Sequence, residues 1–341
     1  MDEFPPPLRV LQLILAGFCL FFVFLAVFIV IFSNSALMTP HVVIDPAAPP
    51  LPPVNVTRSF IWHNTSYTIP LSVNGTVYAA TKKTFRTIFM VGNVSDLEDR
   101  YFGAIRNDPS QEDIYEDLLS SFRRIRSEQH LSDDEYLELM AAYVQTIPYR
   151  DGGTQPPKYP SELLVDNMGD CDDKAILLSG LLSREGYTVV LFRFGPESHM
   201  AMGIGSDAFP YKATGYTYLE AMTPAYAGVP SFTLVTKKPL KSDPVVIPVS
   251  TGPRLYRSGN QTSLIRNMTD ESETRVRDLS ARLDAYPAES RAGPEYLALL
   301  AERDRYTRIH EYLRNNPLDR PGAFAYLQHE MNGSLSLPPG P

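Results

Sequence analysis

Cys171 is the only thiol outside residues 10–32, the apolar stretch that holds Cys19. In an exported chain it has no partner of its own for a disulfide, so it is buried, reactive or paired between chains. The run Gly169-Asp170-Cys171-Asp172-Asp173-Lys174 reads as a turn, an N-cap at Asp170 and an acid three residues on, which starts a helix at the cysteine. Unpaired N–H groups and the positive end of the helix dipole favour a thiolate there, whereas the flanking aspartates oppose it. A cationic neighbour is then required, and His199 can supply it. Glu220 can in turn orient the imidazole and stabilise its charged form, which completes a nucleophile, a base and an orienting acid. Each residue also has a plainer explanation. Cys171, Ala175, Leu178 and Leu182 share a helix face as a core cysteine would, a lone histidine can be surface or satisfied core, and Glu220 can be a cross-strand polar residue. Calcium on Asp170, Asp172 and Asp173 is conceivable, with helix capping as the alternative. No other cofactor is expected.

Such chemistry needs elements that bring the three residues together. The cysteine helix runs to about residue 184, and residues 189–194, 199–205 and 216–222 then read as strands. An antiparallel hairpin centred between Phe209 and Pro210 sets His199 directly opposite Glu220, with Ala201, Gly203 and Tyr218 on inward faces. Upstream, Ser110-x-x-Asp113 and Ser132-x-x-Glu135 resemble capping boxes. They precede the apolar stripes Ile114, Leu118, Phe122, Ile125 and Tyr136, Met140, Tyr143, Ile147, which read as core. Asn74-Gly75, among β-type residues, predicts a hairpin turn. After Pro253 come a loop with two glycosylation signals and charged helices around 270–285, 294–315 and 322–331. No glycine-rich phosphate loop, His-Glu-x-x-His pair or EF-hand pattern occurs.

Several of these segments share a family resemblance. Gly169-Asp-Cys-Asp-Asp-Lys-Ala-Ile-Leu-Leu, followed by Leu-Leu-Ser-Arg-Glu-Gly-Tyr, resembles the catalytic helix of the transglutaminase-like superfamily, of the prokaryotic membrane-anchored type. Tyr143-Val-Gln-Thr-Ile-Pro-Tyr149 and Tyr159-Pro-Ser-Glu-Leu-Leu-Val165 resemble its lead-in. His199-Met-Ala-Met-Gly-Ile and Tyr218-Leu-Glu-Ala-Met-Thr-Pro224 resemble its histidine and acid strands, so the match covers roughly residues 140–229. The resemblance implies a papain-like α+β core in which Cys171 is the nucleophile, His199 the base and acid, and Glu220 the orienting carboxylate. It further implies an oxyanion hole from the Cys171 N–H, with Gln145 as a side-chain candidate whose place on a core stripe is the alternative reading. Glutamate stands where the family usually has aspartate, and Met200 or Met202 where it often has tryptophan.

The remainder of the chain sets the address. Residues 10–32 carry no charge, and 23 helical residues at about 1.5 Å each span a bilayer. They read as an uncleaved signal anchor, with a removed signal peptide as the alternative. Arg9 precedes the span and no Lys or Arg falls within 33–57, so the N-terminus is expected in the cytoplasm and the body outside. Seven Asn-x-Ser/Thr signals, at Asn55, Asn64, Asn74, Asn93, Asn260, Asn267 and Asn332, point to a glycoprotein, with ordinary polar loop composition as the alternative. Six of the 15 residues in 39–53 are proline, expected to be a stiff tether. A net charge of −8 argues against nucleic acid as a partner.

The expected organisation is a cytoplasmic stub 1–9, an anchor 10–32, a linker 33–56, a transglutaminase-like domain 57–253, a glycan-bearing loop and helical extension 254–332, and a tail 333–341. The expected activity is thioester-mediated hydrolysis or acyl transfer on amide bonds of a protein or peptide at the cell surface. A catalytically silent interaction module is the rival.

Overall fold

The computed structural model describes residues 6–33, 39–86, 94–153, 155–230 and 240–334. The chain is mixed α+β with an N-terminal apolar helix. That helix, α1 (Pro6–Ser33), includes the uncharged window Leu11–Phe28, none of it buried. It is long and apolar enough to cross a membrane, a property that a signal sequence shares.

Residues 39–53, expected to be a stiff tether, dock on the body. Val42 is buried and its N–H donates to Asp108 Oδ2 at 2.9 Å, and the Leu51 N–H donates to Thr76 Oγ1 at 2.8 Å. An extended proline-rich segment leaves its remaining N–H groups without internal partners, so such side-chain acceptors hold it. Strand β1 (Val54–Trp62) begins inside the expected linker and pairs antiparallel with β2 (Thr65–Val73). Their turn is His63-Asn64, both at positive φ, rather than the expected Asn74-Gly75. Asn74 instead caps α2 (Gly75–Lys83), its side chain accepting the N–H groups of Thr76 and Val77.

Helix α3 (Val94–Arg106) leads to a single turn of 3₁₀ helix, Pro109–Gln111, and then to α4 (Glu112–Gln129). The cap here is Asp108 rather than Ser110: its Oδ1 accepts both the N–H and the hydroxyl of Ser110. The expected capping box at Ser132 and Glu135 is present and opens α5 (Asp133–Gln145), and all eight residues of the two apolar stripes are buried. The short α6 (Pro160–Asp166) precedes α7 (Cys171–Arg184).

Strands β3 (Val189–Phe194), β4 (His199–Gly205), β5 (Tyr216–Leu219) and β6 (Val245–Ser250) form one antiparallel sheet in the order β5-β4-β3-β6. Its two faces are buried differently. Leu191, Met202, Ile204 and Leu219 join the main core with α4, α5 and α7, whereas Val190, Phe192, Phe194, Ala201 and Tyr218 make a separate aromatic cluster. The loop expected after residue 253 is helical from Gly259, in α8 (Gly259–Asp284). Two more helices, α9 (Pro294–Asn315) and α10 (Arg320–Ser334), follow.

Helix α7 lies close to α4 because Gly180 has no side chain. A Cβ there would lie 2.6 Å from Tyr115 Cε1. Replacing an interior helix glycine with alanine ordinarily stabilises by about 1 kcal/mol, but overpacking a buried ring costs about 1–3 kcal/mol. Gly180→Ala is therefore expected to lower the unfolding free energy of the full chain in detergent by about 1 kcal/mol. A raised urea midpoint would show that α7 and α4 are not in this contact.

Candidate active site

The N-terminus of α7 is held by a reciprocal cap. Asp170 Oδ1 accepts the Asp173 N–H at 3.4 Å, and Asp173 Oδ2 accepts the Asp170 N–H at 3.2 Å. Asp173 also accepts the Lys158 N–H at 2.6 Å, and Asp172 Oδ1 accepts the Asp173 N–H at 2.9 Å. Cys171 is the first helical residue, half-buried, where the backbone N–H has no intrahelical acceptor. The N–H of Met200, the residue after His199, acts electrostatically on its thiol. Burial pushes the Cys171 thiol up, the charges of Asp172, Asp170 and Glu220 push it further, and the Met200 N–H pulls it back only in part.

The three aspartates have carboxylate oxygens within 4.8 Å of one another. Burial, and then a hydrogen bond with Asp170 and its charge, hold Asp172 well above the usual carboxylate range. Burial and the Asp170 charge push Asp173 up to about 6. The hydrogen bonds of these side chains to the N–H groups of Asp170 and Asp173 are those of a helix cap, and the one to the Lys158 N–H ties that cap to the preceding loop.

His199 opens β4 with its ring fully enclosed. Its Nε2 lies 3.3 Å from Glu220 Oε2 and 3.2 Å from the hydroxyl of Tyr218. That hydroxyl donates to Glu220 Oε2 at 2.8 Å, so Tyr218 touches both residues, a role that an inward position in the sequence does not reveal. Glu220 Oε1 accepts the N–H groups of Ala221 and Met222, each at 3.0 Å. Burial raises the carboxyl of Glu220, but the hydrogen bond and charge of His199, with the Met222 N–H and the Tyr218 hydroxyl, outweigh it and the net shift is downward.

The hairpin register differs from expectation by two residues. Gly203 pairs with Tyr218 and Met202 with Leu219, so Glu220 lies diagonally from His199 on the same face rather than directly opposite. Because side chains alternate with period two, an even slip preserves the shared face. The glutamate side chain spans the diagonal, a separation within reach of long side chains.

Gln145, the side-chain candidate for the oxyanion hole, has its amide N–H groups engaged with backbone carbonyls. Its amide is buried behind the acid, donating to the carbonyls of Glu220 at 2.8 Å and Ala225 at 3.1 Å, while its Oε1 accepts the Ala225 N–H. Lys174, unassigned from sequence, is fully buried and donates to the carbonyls of Met222 at 2.6 Å, Ile147 at 2.8 Å and Gln145 at 3.1 Å. Burial lowers its ammonium to about 7, against the opposing charge of Glu220. The available signal was a lysine three residues after the cysteine, leading an otherwise apolar run.

Cys171 and His199 line one open cleft of about 500 Å³, together with Tyr149, Asp172, Phe194 and Met222 among others. Of the glycosylation signals, Asn55, Asn64, Asn74, Asn260 and Asn267 are exposed, Asn267 well within α8. Asn93 and the side chain of Asn332 lie outside the described residues. Compared with protein-family models, curated proteins and solved structures, the chain matches none.

The electrostatics of Glu220 give a sign. Its carboxyl titrates lower in the folded chain than in the unfolded one, so its contribution is complete above the unfolded value and is lost as pH falls through the folded value. Glu220→Gln is expected to cost about 1–3 kcal/mol at pH 7, and the gap to wild type should narrow below about pH 4. A gap that widens on acidification, measured by urea unfolding, contradicts this assignment.

Proposed function

We propose that this chain is a cysteine-dependent enzyme acting on amide bonds, with Cys171 as nucleophile, His199 as proton carrier and Glu220 as its orienting acid. One observation carries the reading: a fully buried carboxylate, 3.3 Å from Nε2 of an imidazole that lines the same open cleft as a helix-starting cysteine. His199 takes the thiol proton as Sγ attacks the substrate carbonyl. The Cys171 N–H stabilises the oxyanion, and the imidazolium returns the proton to the leaving amine. The resulting thioester is resolved by water, giving hydrolysis, or by an amine, giving acyl transfer. This matches the transglutaminase-like pattern read from residues 140–229. The apolar α1 supports a membrane anchor with the body on the outer face, and the five exposed Asn-x-Ser/Thr signals support glycosylation. The substrate is then a protein or peptide at the cell surface.

A silent interaction module is the second reading, favoured by the same burial and aspartates that push the Cys171 thiol up. Thiol labelling of the full chain in detergent separates the two. The enzyme reading expects iodoacetamide to label Cys171 readily at pH 7, His199→Ala to slow that labelling about tenfold, and Cys171→Ala to abolish amide cleavage and amine incorporation on a mixed peptide library. Labelling that His199→Ala leaves unchanged favours the module.

A further inference from the structure

We propose that Gln145 and Lys174 are positioning residues for this site, two buried side chains that fix the irregular segment after β5 so that Glu220 meets His199; the inference rests on the enzyme reading above. Strand β5 ends at Leu219, so Glu220 lies just past the last paired residue of the ladder. Residues 220–225 have no regular structure, yet Glu220 and Ala221 are fully buried. Besides Glu220 itself, two side chains from other elements occupy the backbone of this segment. Gln145, the last residue of α5, grips both ends of it through Glu220 O and the N–H and carbonyl of Ala225. Lys174 grips its middle through Met222 O and ties it to the backbone at the end of α5 through Gln145 O and Ile147 O, so its three N–H donors meet three carbonyls. Lys174 is also one turn along α7 from Cys171. The nucleophile's helix and the acid's segment are therefore joined by one side chain, and a shift of either disturbs the other.

A purely structural role predicts loss of stability alone, whereas positioning acts through the carboxylate of Glu220. The test follows alkylation of Cys171 in the full chain from pH 5 to 9, with the thermal midpoint as a fold control. Gln145→Met changes no charge. It is expected to raise the pH midpoint of labelling and to slow labelling at pH 7 about three- to tenfold, but to change the rate less than about twofold in a Glu220→Gln background. Gln145→Asn is expected to behave in the same way. Removing the Lys174 charge acts directly on the thiol in both backgrounds, so Lys174→Met is expected to slow labelling in both, but by about threefold or more further where Glu220 is present. Equal losses in the two backgrounds, or an unmoved pH midpoint in a folded variant, overturn the proposal. Loss of fold in all three variants also overturns it, since the role is then structural. If His199→Ala leaves labelling unslowed, the enzyme reading itself fails. If His199→Ala slows labelling and Gln145→Met does not, only the positioning role fails.

Discussion

The buried carboxylate of Glu220 is the constraint around which the site is arranged. An ionised carboxylate without exposed surface is tolerated only where its lone pairs meet donors, and four are present. Two of them are the consecutive N–H groups of Ala221 and Met222. Backbone that turns those groups toward its own side chain cannot also present them to a neighbouring strand. That accounts for β5 ending at Leu219, although strand-like residues continue to Met222. The other two donors, from Tyr218 and His199, lie on one face of the sheet, so the strand pairing and the state of the carboxylate are mutually dependent.

Much of this was legible in the sequence where the cause is local. The bounds of β3, β4 and α7, the cap at Asp170, the capping box at Ser132 and the two apolar stripes all follow from residue types a few positions apart. What was misread depends on context of two kinds. Asn-Gly serves a hairpin or a helix start equally well, and only the chain beyond residue 75 decides that Asn74 caps α2. The β4–β5 register was read from a symmetric turn, yet the real connection is anchored off-centre by Thr217 Oγ1, which donates to the carbonyls of Ala208 and Phe209. Periodicity constrained only the parity of the pairing, and parity was right. Gln145 and Lys174 were opaque for a different reason: their partners are backbone carbonyls and one backbone N–H, which carry no residue-type signature.

The C-terminal helices bear on the same segment from the other side. Tyr226 packs among Ile265, Ile309, Leu313, Ala323 and Leu327 of α8, α9 and α10, and its hydroxyl donates to Asn316 O. Arg320 at the start of α10 pairs with buried Glu138 on α5 at 2.6 Å, two turns before Gln145. Burial raises the carboxyl of Glu138 and this guanidinium opposes that shift, so α10 supplies the cation beside a buried acid of α5. The helical extension is thus continuous with the wall behind the acid rather than an appendage to it.

Docking of the proline-rich segment changes the reach of the molecule. As a free spacer, 15 extended residues would let the body stand about 46 Å from a bilayer. Attachment at Pro40 and Val42 leaves about seven residue steps after Ser33, a contour of at most about 25 Å. With α1 in a membrane, the body is leashed within roughly its own width of the lipid surface. It would then sweep only a thin shell of juxtamembrane space.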